Sequence, residues 1–172
     1  VTLSKEKVPE NIHATLRPYQ ETGFNWLLYM QKLGFGACLA DDMGLGKTLQ
    51  IITLLEKMRT KSKRTRVLLV VPASLLGNWK NELEKFAPGL DYNILHGRPQ
   101  AELEKEIKAN RHFLNITTYG MAVRMESLQK IKGLKVSHTF PGHREFHGDI
   151  HDRINALTLH HHARLKEILD AI

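Results

Sequence analysis

Cysteine is almost missing from this chain: 172 residues contain one, Cys38. A lone thiol excludes an internal disulfide framework and a zinc site built from cysteines. Long apolar runs are missing as well. No run approaches the roughly 18 residues that a membrane span needs, and the opening VTLSKEKVPE lacks the apolar core of a secretory leader. The expectation is a soluble, intracellular, cytoplasmic setting with reducing conditions and no membrane partner. Internal repeats and low-complexity tracts are absent too. What is present is a chain 42% hydrophobic and 25% charged. That composition can bury a core, and the length fits one domain of roughly 100–200 residues rather than two full enzyme lobes.

The formal charge of +7 is unevenly placed. Residues 1–132 hold 20 Lys/Arg and 13 Asp/Glu, whereas residues 133–172 hold five of each. Histidine divides the other way, with seven of ten between His138 and His162. This shift in composition predicts a boundary near Gly133.

Residues up to about Ala14 read as a loose lead-in. Pro18 suits the first turn of a helix that continues to about Lys32, with Tyr19, Gly23, Trp26, Leu27 and Met30 approximating one face. Ala37–Ala40 reads as a buried strand, followed by a glycine-rich turn and a helix from Lys47 to about Arg59. Val67–Val71 is an unbroken β-branched and leucine run, as expected of a strand buried on both faces. Ser74 can then cap a helix to about Phe86. Asn93–Leu95 and Phe113–Thr117 are further strands, with helices at Ala101–Ala109 and from about Met121 to Lys130. Strands alternating with helices predict an α/β fold, a parallel sheet with helices on both faces. Trp26 and Trp79 are expected in the core.

ADDMGLGKT, Ala40 to Thr48, stands between a predicted strand and a predicted helix. Glycines let backbone N–H groups turn toward phosphate oxygens, and the helix N-terminus adds its positive dipole end. Lys47 would reach the β- and γ-phosphates, and the Thr48 hydroxyl would ligate Mg²⁺. The general phosphate-loop pattern begins with Gly, where this chain has Asp41. The loop Arg59–Arg66 (RTKSKRTR) carries five positive charges in eight residues. It reads as a solvated surface loop or as a weak, salt-dependent contact to nucleic-acid phosphates.

Three more segments accompany the loop in order: LRPYQETGFNWL (Leu16–Leu27), VLLVVPASLLGNWKNELEKFAP (Val67–Pro88) and NITTYG (Asn115–Gly120). Together with LADDMGLGKTLQ they resemble the first lobe of Swi/Snf-type ATPases, which are double-stranded-DNA translocases of helicase superfamily two. The resemblance covers about residues 12–132 and implies a RecA-like P-loop lobe. In that family an acidic residue commonly stands at the position of Asp41. The resemblance implies that Gln20 recognises adenine, and that Asp42, Gly44, Leu45, Gly46, Lys47 and Thr48 hold ATP and Mg²⁺. It places Ser74 and Thr118 near the backbone of double-stranded DNA. The plainer alternatives are a helix cap for Ser74 and strand-end packing for Thr117 and Thr118.

Such a lobe should continue into a strand ending in Asp-Glu-x-His, yet no Asp-Glu dipeptide occurs anywhere in the chain. The arginines of a second lobe are not found either. Nucleotide binding without turnover is the expectation, with no catalytic residue assigned and the lobe taken as truncated. Its sheet is complete only if Val136–Phe140 fills the missing strand's place. Otherwise exposed sheet edges invite self-association.

The tail VSHTFPGHREFHGDIHDRINALTLHHHARLKEIL resembles the C-terminal end of metallo-β-lactamase-fold hydrolases over about residues 135–170. That likeness makes 133–172 a second segment, a strand, turn and helix appended to the lobe. Pro141-Gly142 would be the turn, Asp149 the cap of a helix carrying Ile150, Ile154, Leu157, Leu165 and Ile168, and His143 a zinc ligand. A working zinc site needs three or four converging ligands, and that family's His-x-His-x-Asp-His cluster is missing, so His143 is expected to be an orphan. His160–His162 point in different directions if helical and are expected to be solvated. The alternatives to a nucleotide-binding lobe are therefore a zinc-hydrolase fragment or a fusion product with neither activity.

Overall fold

The computed structural model describes residues 3–33, 35, 37–39, 44–129, 135–140 and 144–149. The elements are α1 (Pro18–Lys32), β1 (Ala37–Leu39), α2 (Lys47–Lys61), β2 (Val67–Val71), α3 (Leu76–Phe86), β3 (Tyr92–Leu95), α4 (Gln100–Ala109), β4 (Leu114–Thr118), α5 (Tyr119–Arg124), α6 (Glu126–Gln129), β5 (Lys135–Phe140) and β6 (Arg144–Asp149). The six strands form one sheet in the order β1-β6-β5-β2-β4-β3. β3, β4, β2 and β5 are mutually parallel, while β6 runs antiparallel to both β5 and β1. The expected α/β sheet is therefore present, with one reversed strand in it.

Side chains alternate across a strand, and the two faces of β2 show where the helices must go. Val67, Leu69 and Val71 join α1, α2 and α3 in one core with Leu114 and Ile116. Leu68 and Val70 join α4, α5 and α6 in a second core with Leu95, Leu103, Ile107, Met121 and Met125. All five residues of β2 are buried, which requires helices on both faces. Helix α2 buries ten of its fifteen residues because the sheet, α1 and α3 enclose it. Trp79 is fully buried in the first core and Trp26 is partly buried against it.

Several expectations need correction. The residues before α1 are no loose lead-in. The Glu6 amide donates to Asn25 Oδ1 (2.8 Å), and the Glu6 carboxylate meets Lys32 of α1 (2.8 Å) and Lys57 of α2 (3.2 Å). Asn11 donates to Glu56 of α2 (3.2 Å), the His13 amide donates to the Phe86 carbonyl (2.8 Å), and Ile12 and Leu16 are buried. This segment straps α1, α2 and α3 together. The buried face of α1 is Gln20, Phe24, Leu27 and Leu28, with Tyr19 exposed, so the true stripe is rotated from the expected one. Gly23 lies under Gln50, whose Oε1 is 2.0 Å from where a Cβ would stand, so the backbones of α1 and α2 approach closely there.

Ser74 caps nothing: a 3₁₀ turn, Ala73–Leu75, precedes α3, and neither element has a side-chain cap bond at its start. The single helix expected after β4 is two, broken at Met125, whose extended backbone carries a fully buried side chain. Residues 144–149 form a strand that Asp149 ends. β5 (Lys135–Phe140) pairs in parallel with β2, so the expected strand at Val136–Phe140 stands inside the sheet. The junction around Lys132–Gly133, Pro141-Gly142, His143, and the helix expected after Asp149 with His160–His162 lie outside the described residues.

Candidate nucleotide loop and the two edges of the sheet

The turn between β1 and α2 is built from α1 as much as from its own residues. Gln20 is the third residue of α1, and its Oε1 accepts from the Arg17 amide (2.9 Å), satisfying one of the free donors at that helix end. Its Nε2 donates to the Leu45 carbonyl (3.1 Å), and the Tyr19 hydroxyl donates to the same oxygen (3.1 Å). A trans peptide holds its C=O and N–H on opposite sides. Drawing the Leu45 carbonyl toward α1 therefore turns the Gly46 N–H away from α1.

Gly44 (φ +82°) and Gly46 (φ +75°) both hold left-handed backbone, which glycine adopts without penalty. A Cβ on Gly46 would stand 2.3 Å from Gln20 Nε2, whereas one on Gly44 would meet nothing within 4 Å. Gly46 is thus required twice, by conformation and by the amide seated on it. It is also the N-cap of α2, with no side-chain cap bond. The N–H groups of a helix's first turn, with the positive end of its dipole, form a site that suits an anion.

Lys47 is buried at the first position of α2, Thr48 is half-buried beside it, and Leu45 is exposed. The structure thus brings Gln20, Gly44, Leu45, Gly46, Lys47 and Thr48 together at one helix head. Asp41 and Asp42 lie outside the described residues. The test of fit to a nucleotide phosphate is met by two left-handed glycines, a helix N-terminus at the loop and a buried lysine at its head. Tyr19 belongs to the assembly although its sequence pattern reads as a core residue. Its position beside Gln20 is the signal that could have found it.

The remaining predicted residues distribute by strand direction. β1, β2 and β4 run the same way, so the loops at their carboxyl ends share one edge of the sheet. That edge carries the nucleotide loop, exposed Ser74 and buried Thr118. Thr117 donates its hydroxyl to the Leu95 carbonyl (2.9 Å) and is fully buried, tying β4 to β3. Arg59–Arg66 runs from the end of α2 into the start of β2, on the opposite edge. Two of its five charges serve the fold. Arg59 grips the buried Glu56 carboxylate through two bonds (3.0 and 2.5 Å), and Arg66 donates to the carbonyls of Asn110, Lys63 and Thr65. Burial pushes the Glu56 carboxyl up, but Arg59 and Asn11 outweigh it and hold it below the ordinary range.

Asp149 pairs with Lys135, which pairs with Val67, so its backbone also lies on the edge away from the nucleotide loop. It cannot stand in for an acidic pair beside that loop. Glu145, by contrast, is in register with Leu39, the last described residue before the loop, and with Thr139. Among the described residues no group of three or more His, Cys, Asp or Glu could hold a metal ion, and no helix is long and apolar enough to cross a membrane.

Known proteins match this arrangement. A family model described as the SNF2-related domain matches residues 19–162, a span that continues beyond Gly133. The chain is 44% identical over 125 residues to the Bacillus subtilis protein named putative ATP-dependent helicase/translocase YwqA, covering 70% of this chain and 13% of that one. It is 35% identical over 156 residues to the ATP-dependent helicase fft1 of Schizosaccharomyces pombe, covering 91% of this chain and 16% of that one. The Sulfolobus solfataricus SWI2/SNF2 ATPase core in complex with dsDNA superposes with a TM-score of 0.64 at 42% identity, over 73% of this chain and 26% of that one. The chain therefore spans a small part of each of these relatives. With the family match over most of its length and a loop geometry suited to phosphate, this chain belongs to the SNF2-related domain family.

Proposed function

We propose that these residues form the nucleotide-binding lobe of a Swi/Snf-type DNA translocase. It holds ATP and Mg²⁺ at the head of α2 and contacts duplex DNA weakly along the same edge of the sheet. The observation that carries this reading is the seating of Gln20 on Gly46, with its Nε2 bonded to the Leu45 carbonyl. The backbone N–H groups of Gly44 to Thr48 would take the phosphate oxygens, Lys47 the β- and γ-phosphates, and the Thr48 hydroxyl the magnesium. The magnesium would neutralise phosphate charge when bound. Gln20 already spends its amide on Arg17 and Leu45, so recognition of adenine would exchange one of those bonds for the base. Base recognition and loop shape are then coupled through one side chain.

Turnover is not expected of these 172 residues alone. The chain contains no Asp-Glu pair, and Asp149 lies on the far edge. The zinc-hydrolase reading rests on His143 alone, and zinc is not part of the proposal. Segment 133–172 instead contributes β5 and β6 to the sheet of segment 1–132, whatever its ancestry. Ser74, exposed on the nucleotide edge, is a fitting DNA-backbone contact, whereas Thr118 is buried and would act through its backbone. Titration of a fluorescent ATP analogue with Mg²⁺ tests the proposal. Lys47→Ala is expected to weaken binding at least tenfold, and unchanged affinity would overturn it.

A further inference from the structure

The edge of the sheet opposite the nucleotide loop carries a charged surface that this reading does not use. Lys63 and Arg64 are exposed in the turn between α2 and β2, and Lys108 and Arg111 are exposed around the end of α4. The fold joins these two stretches directly. Arg66 Nε donates to the Asn110 carbonyl (3.1 Å), and the Val67 amide donates to the Phe113 carbonyl (2.8 Å). Asn110 takes left-handed backbone (φ +46°) to end α4, which turns Arg111 toward the same edge as Lys63 and Arg64.

Among the described residues, no hydrogen bond or ion pair occupies the side chains of Lys63, Arg64, Lys108 or Arg111. The described carboxylates near these elements are engaged within the fold: Asp91 by His112 (2.9 Å) and the Phe113 amide (3.2 Å), Glu106 by Arg98 and Asn93, Glu104 by Ser127, and Glu56 by Arg59. By register, the backbones of Lys135 and Asp149 stand at this edge too. Four exposed cations without bonds among the described residues therefore stand on one edge, beside carboxylates already engaged by other groups. Like charges left together cost self-repulsion that folding does not recover, so an external polyanion is the natural complement.

We infer that this edge is a second duplex-DNA surface, binding phosphates without reading sequence and separate from the nucleotide edge. Helix α2 spans the gap between the two edges, about 22 Å for fifteen residues at 1.5 Å each. One chain can thus hold two duplex segments, one at each end of its strands. Duplex DNA suits the surface better than an acidic peptide. Phosphate contacts need only placed cations, whereas a peptide needs a groove or free strand edge for register, and these cations lie on turns.

The test counts short duplexes, of about one helical turn, bound per chain at low salt by sedimentation. The salt dependence of binding is measured in parallel by fluorescence anisotropy. Wild type is expected to bind two duplexes, and the triple variant Lys63→Ala/Arg64→Ala/Arg111→Ala one. The log–log salt slope of the removed phase should fall by about 2–3, at roughly 0.9 for each phosphate no longer neutralised. A change from one duplex to none would support this surface while refuting the proposed contact on the nucleotide edge. An unchanged count and slope would overturn the inference. So would tighter binding of poly-glutamate than of duplex at equal salt, abolished in the triple variant, because the occupant would then be an acidic protein segment. Replacement by lysine and arginine in exchanged positions should restore both count and slope, which a mere folding defect would not predict.

Discussion

Gly46 shows how much one residue can be asked to do. Its backbone is left-handed, and its missing Cβ makes the space in which the Gln20 amide reaches the loop. Gly44 shares the backbone requirement but faces open space. Forcing a side chain into left-handed backbone costs roughly 1–2 kcal/mol. Gly44→Ala should therefore lose about 1 kcal/mol in urea unfolding, and Gly46→Ala measurably more. The extra loss should disappear when Gly46→Ala is made in a Gln20→Ala background, because the colliding amide is gone. Equal losses for the two glycines would mean that Gln20 does not rest on Gly46. At this scale the sequence is informative about the loop, since glycine and lysine spacing is a local signal. It is silent about Tyr19, whose hydroxyl finds the loop only once α1 lies beside it.

At the scale of elements, the strap before α1 is the feature that composition conceals. Polar residues between Lys5 and His13 read as solvated because their partners lie on three different helices. Glu6 is the centre of that arrangement, and bonds from Lys32 and then Lys57 hold its carboxyl down at about 2, from 4.5. A depressed carboxylate contributes stability that is present above its unfolded value and lost as pH falls through the folded one. The strap should therefore loosen progressively between about pH 4.5 and 2. Glu106, held low by Arg98 and Asn93, and Glu56 titrate with the same sign. Urea midpoints measured across this range should fall with pH in wild type and fall less steeply in Glu6→Gln. Parallel curves for the two proteins would show that Glu6 is not a linked group.

Strands and helices themselves are legible where one face or both are apolar. The run Val67–Val71 could only be a strand covered twice, and α1 begins at Pro18 as the residues indicate. The helix after β4 misleads because Met125 is buried at the very point where the helix breaks, so apolar character alone does not reveal the break.

The whole molecule adds what no local pattern contains, namely which loops share an edge. Strand direction puts Ser74, Thr118 and the nucleotide loop together and sends Arg59–Arg66 to the other end. Sequence spacing places that basic loop closer to Lys47 than Ser74 is, and the fold reverses the relation. The sheet itself is completed by β5 and β6, one beside β2 and the other between β5 and β1. The composition change at Gly133 therefore does not coincide with an end of the sheet.

The central claim is that the head of α2 binds nucleotide through Lys47 and its neighbours. It is tested most directly by urea unfolding of the whole chain with and without saturating Mg²⁺-ATP, for wild type and Lys47→Ala. A ligand that binds only the folded state should stabilise wild type by roughly 2–4 kcal/mol. The account predicts that stabilisation in wild type, its loss in Lys47→Ala, and no release of phosphate by either protein. Equal stabilisation of both proteins, or none in wild type, would contradict it.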